Sequence, residues 1–171
     1  MVGDIQNRAQ SGKPQGLAAD ILRVVGQLSD MSTPLSKQAL MDLWSIVPEP
    51  DGVPARLDMA RLVGRALGSK ANDHNFLLNW AALEQRDGSP QVGAQLLNIV
   101  VPLLPLDDSD ALARWLWCAG NIGARMGDFD EALMHLSALK QLAETHNLSL
   151  GVDFVVQAEV VEKRIQQATA D

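Results

Sequence analysis

The chain is 171 residues long, 47% apolar and 20% charged, with a formal charge of −7 at neutral pH. This length and balance describe one globular domain and exclude a disordered chain. The negative charge weighs against a nucleic-acid ligand, whose affinity comes mostly from Lys and Arg neutralising phosphates, and suits a chain that receives a basic partner.

Residues 1–14 hold Gly, Gln, Ser, Lys and Pro without apolar periodicity and read as a flexible tail. The opening MVGDIQNRAQSGKPQG also lacks the apolar core of a signal peptide. A single all-helical domain is expected over 15–171. Leu17, Ile21, Val24, Val25 and Leu28 give the first apolar stripe at helical spacing. Ser32 or Thr33 caps a second helix, with Pro34 in its first turn and Leu40, Leu43, Trp44 and Val47 on its apolar face. After PEPDGVP, Leu57, Ala60, Leu62, Val63 and Leu67 mark a third.

Asp73 caps a fourth helix, which carries Phe76, Leu77, Trp80 and Leu83 and ends at RDGSP. A fifth runs from about Pro90 to Leu103, where Pro102 and Pro105 close it. Its end lies in LLNIVVPLLPL, an 11-residue run with two prolines, far short of the roughly 20 residues of a membrane-spanning helix. The chain is therefore expected to be cytoplasmic and soluble. A sixth helix follows LDDSD and reaches Met126; a seventh covers about 129–145 and an eighth about 150–168. No stretch alternates as a strand would, so the class is all-α, about eight helices in antiparallel hairpins near 34–67, 73–103 and 108–146 plus the end helix.

Three turns look alike: PDGVP at Gly52, RDGSP at Gly88 and MGDFD at Gly127. Trp44 and Trp80 each lie eight residues before their turn glycine. Gly88 and Gly127 are 39 apart, and at that offset Leu77 falls on Leu116, Ala81 on Gly120, Gly93 on Ala132 and Leu97 on Leu136. Small residues recur where helices cross closely, and large apolar ones where they fill the layer between.

These residues resemble the tetratricopeptide repeats (TPR). Gly120, Gly127, Phe129, Ala132 and Leu136 match that family's helix-turn-helix pattern position for position. Ala81, Gly88, Gly93 and Leu97 match it with Pro90 in place of the aromatic, and Gly52 keeps the turn and the tryptophan. The alternative is an unrelated helical bundle, in which turn glycines and buried tryptophans are equally at home. Phe154, Ala158, Val161 and Ile165 on the last helix form one apolar face, as the end piece of an open stack requires.

The resemblance implies a concave peptide-binding groove lined by the first helix of each hairpin. Carried onto this chain, its positions are Asn75, Leu78, Asn79 and Arg86 in one hairpin and Arg114, Trp117, Asn121 and Arg125 in the next, with Ala82 and Cys118 between them. Asn satisfies both N–H and C=O of an extended peptide, Arg grips a carboxylate, and Trp117 supplies an aromatic anchor. The competing reading leaves Arg86 and Arg125 as cations favoured at helix C-termini and Trp117 as core.

Catalysis finds little support. His74, His135 and His146 belong to no metal-ligand spacing, and His135 reads as a solvent-facing helix residue. Cys118, the only cysteine, can form no internal disulfide and reads as a buried thiol. The acids of DDSD cap a helix start rather than build a calcium loop. No cofactor and no metal are expected. The function expected is a non-catalytic adaptor or chaperone-like protein that binds a protein or peptide, similar in outline to the secretion chaperones that hold translocator proteins. A structural subunit of a larger assembly or homo-oligomer is the alternative, and an enzyme comes third.

Overall fold

The structure, a computed structural model, describes residues 53–67, 72–146, 148 and 151–170, with Asp20 and Arg23. The expected tail and first two helices otherwise lie outside these residues. The chain divides into two units, 1–72 and 73–171. In the first, α1 (Val53–Leu67) buries Leu57, Met59, Ala60, Val63 and Leu67, while Leu62 stays half-buried.

The second unit holds α2 (His74–Asp87), α3 (Pro90–Val100), a 3₁₀ turn at Val101–Leu103, α4 (Ser109–Met126), α5 (Phe129–Thr145) and α6 (Gly151–Ala170). Every described element is helical. Among the described residues, no helix is long and apolar enough to cross a membrane.

The helix starts follow from local chemistry. The side chains of Asp73, Ser89 and Asp108 accept hydrogen bonds from the amides of Phe76, Val92 and Ala111, capping α2, α3 and α4. Pro90 occupies the first turn of α3, where its missing N–H costs nothing. The prolines after α3 tighten its end into the 3₁₀ turn instead of prolonging the α-helix to Leu103. Gly127 ends α4 at φ 84°, the left-handed region in which a Cβ is strained.

α2 packs along α3 and α4 along α5; α4 also meets α2 and α3, and α6 lies against both α5 and α4. The two helix pairs cross on small residues. A Cβ added at Gly93 would stand 3.4 Å from the Ala81 carbonyl oxygen, and one at Gly120 would stand 3.4 Å from that of Ala132. Ala81 and Gly120 are 39 residues apart, as are Gly93 and Ala132, so one crossing recurs with the roles of Ala and Gly exchanged. Leu77, Leu97, Leu116 and Leu136, which the same offset pairs, are all buried. A separate cluster of Ala113, Leu116, Leu136, Leu139 and Ala158 ties α6 to α4 and α5. At its edge, Lys140 Nζ lies 2.7 Å from Glu162 Oε1.

The two glycines should respond differently to alanine. At Gly120 the new Cβ meets Leu136 Cδ2 at 2.6 Å and Cγ at 2.7 Å, and Leu136 is wholly buried. Overpacking of this kind costs about 1–3 kcal/mol and outweighs the gain of up to about 1 kcal/mol in helix propensity. At Gly93 the close atom is the flexible tip of Ile122, Cδ1 at 2.9 Å. Thermal and urea unfolding should therefore find Gly120→Ala destabilised by about 1–2 kcal/mol and Gly93→Ala within about 0.5 kcal/mol of the parent.

Candidate functional site

The eight candidate groove residues separate into three groups. Asn75, Asn79 and Arg114 come together on exposed parts of α2 and α4. Arg114 Nη1 donates to Asn75 Oδ1 at 3.1 Å, and Nη2 donates to Asn79 Oδ1 at 2.7 Å. Asn75 and Asn79 sit one turn apart, so a single guanidinium fork spans both. Because each amide accepts through its oxygen, its NH₂ group is left to face other acceptors.

A second group turns inward. Leu78 is buried, and Asn121 is 9% exposed with its Nδ2 donating to the Trp117 carbonyl one turn earlier at 2.8 Å. Trp117 is half-buried and packs against the α4–α5–α6 cluster. Cys118 is buried beside them, and burial pushes its thiol up to about 12 while nearby Arg114 pulls it down. A protonated thiol in that setting is no nucleophile at neutral pH.

The third group is the arginines near helix ends. Arg86 Nε lies 2.8 Å from Asp87 Oδ2, an exposed neighbour pair. Arg125 does something else. It leaves the C-terminal turn of its own helix and reaches α2, where its Nη1 donates to the carbonyls of Glu84 (3.3 Å) and Gln85, and its Nη2 to that of Gly88 (3.4 Å). Helix C-termini carry unsatisfied carbonyls and partial negative charge, so a guanidinium there supplies both donors and charge. Arg114 near the start of α4 and Arg125 near its end thus tie α4 to α2 at two levels.

Sequence reasoning passed over two features. Glu84 is fully buried and organises the first turn: Trp80 Nε1 donates to its Oε1 and the Ser89 N–H to its Oε2, both at 3.0 Å. The only signal for it was an acid among apolar residues four positions after a tryptophan. His135, expected to face solvent, has a side chain only 13% exposed. It stands edge-on to Trp115, ring centres 5.2 Å apart at 90°, and Trp115 Nε1 donates to the Leu97 carbonyl at 3.2 Å. His135 Nε2 is 3.5 Å from Glu131 Oε1. Among the described residues no group of three or more His, Cys, Asp or Glu is placed to hold a metal ion.

Comparison with protein-family models, with curated proteins and with solved structures finds no match for the chain.

Removing the Arg125 guanidinium takes a donor from the Gln85 and Gly88 carbonyls, while that of Glu84 keeps the Gly88 N–H at 3.0 Å. Arg125→Ala should lower stability by about 1–2 kcal/mol, within the range for charged hydrogen bonds and helix-end cations. Arg125→Lys should restore only part, because an ammonium lacks the fork that spans separate carbonyls. Urea denaturation of the two variants checks both statements.

Proposed function

We propose that this is a non-catalytic, TPR-like helical-repeat protein that holds an extended segment of a protein partner across α2 and α4. The observation that carries the reading is the recurrence of one crossing, Ala81 on Gly93 and Gly120 on Ala132, in two successive helix pairs. Such recurrence places equivalent first helices side by side, and α2 and α4 do pack together. The exposed Asn75 and Asn79 and the half-buried Arg114 then form one polar platform. The position of α6, against both members of the preceding pair, supports an end helix that continues the stack.

The platform is rich in donors: two amide NH₂ groups and a guanidinium. It suits a partner that offers acceptors, namely the backbone carbonyls and a carboxylate of an extended segment. Leu78, Asn121, Trp117 and Arg125 support the platform from behind rather than touching the partner. Cys118, buried and with its thiol pushed up to about 12, plays no catalytic part in this reading.

A second reading, a structural subunit or homo-oligomer, draws on the exposed apolar residues at the end of α3 and just beyond it. Ile99 and Val101 are each 51% exposed and Leu106 is fully exposed. Sedimentation velocity separates the two, because a monomer across a wide concentration range rules out self-assembly through that segment.

For the adaptor, the full chain is used as bait in its native cell and the recovered proteins are quantified by mass spectrometry. Arg114→Glu should reduce recovery of the specific partner at least about tenfold, the loss expected when a charge-assisted contact becomes repulsive. Its circular dichroism should keep the helix content of the parent, with melting lowered by the loss of the bonds to Asn75 and Asn79. Unchanged recovery with an intact fold overturns the groove.

A further inference from the structure

A cleft of about 170 Å³ opens between α3, α4 and α5. Its α4 wall uses Trp115, Ala119, Ile122 and Met126, a different face of that helix from the one carrying Arg114. The volume decides the class of occupant. Small-molecule and cofactor pockets run to roughly 300–1,000 Å³, whereas a cavity of about 150 Å³ takes one benzene-sized group. One side chain fits here, and a cofactor does not.

The chemistry of the lining narrows it further. Leu97, Ala119 and Ile122 offer an apolar surface, while Asp128 and Glu131 stand at the open side as exposed carboxylates. No Lys or Arg lines the cleft. The two acids occupy the cap position and third residue of α5, a spacing that elsewhere closes a capping box. Here Asp128 makes no side-chain cap bond, and its N–H is already bonded to the Gly123 carbonyl at 2.9 Å. The Asp128 carboxylate therefore plays no part in the cap, while Glu131 Oε1 lies 3.5 Å from His135 Nε2, a contact that an entering guanidinium has to share. The Trp115 ring is held in place by its bond to Leu97 and by the His135 edge, so the wall is formed in advance.

We propose that this cleft receives an arginine side chain from a partner segment, its methylenes on the apolar wall and its guanidinium against Asp128 and Glu131. Charge complementarity selects a cation. The planar fork of arginine suits paired carboxylates beside an aromatic ring better than the compact ammonium of lysine. The site stands apart from the platform on α2 and α4 and does not rest on that reading.

The test titrates ¹⁵N-labelled full-length chain with acetyl-arginine methylamide and, separately, with its neutral isostere acetyl-citrulline methylamide, at millimolar concentration. The arginine probe should shift the Trp115 indole N–H and the Gly123 and Glu131 amides saturably, and the citrulline probe should not. The lysine analogue should bind more weakly than the arginine one. Asp128→Asn with Glu131→Gln should weaken arginine binding at least about tenfold, as loss of charge-assisted hydrogen bonds implies. Equal response to citrulline, binding that survives the double variant, or shifts scattered over the acidic surface would each overturn the proposal. Should the double variant fail to fold, the arginine-against-citrulline comparison on the parent chain still decides it.

Discussion

Close approach of paired helices is the constraint on which the second unit depends. Where α2 crosses α3 and α4 crosses α5, the space at Gly93 and Gly120 admits no ordinary side chain without displacing Ile122 or Leu136. With the backbones this near, Leu77, Leu97, Leu116 and Leu136 are buried, and the turns at 88–89 and 127–128 are held to two residues. A dense interior magnifies small volume changes, so a single methyl at Gly120 disturbs the pair while the same change at Gly93 meets only a flexible tip.

Polar contacts then set how one pair lies on the next. Arg114 spans Asn75 and Asn79, and Arg125 spans the last carbonyls of α2, so α4 is pinned to its neighbour at both ends. The same side chains therefore serve register and surface at once. Arg114 is half-buried and held by side-chain amides, whereas Arg125 is committed to backbone carbonyls. Buried Glu84 completes the arrangement from below by binding Trp80 and Ser89 across the first turn.

Two surfaces with opposite chemistry result. The α2–α4 platform offers donors and positive charge in a chain of net charge −7, and the α3–α4–α5 cleft offers carboxylates beside an aromatic wall. The two lie on different faces of α4, because Arg114 and the cleft residues Trp115, Ala119, Ile122 and Met126 do not share a helical stripe.

Much of the local structure was legible in the residues. Asp73, Ser89–Pro90 and the DDSD acids mark helix starts because their side chains solve a problem local to four residues, and Gly127 marks an end because only the backbone angle matters there. The 39-residue offset likewise announced which small residues meet, since packing volume repeats with the repeat. Side chains that reach across elements were beyond it. Arg125 reads as a cation on its own helix end but serves the end of another; His135 reads as surface but lies against Trp115; Leu78 and Asn121 read as groove but turn inward. Helical period tells which residues share a face, and only tertiary packing decides what that face meets.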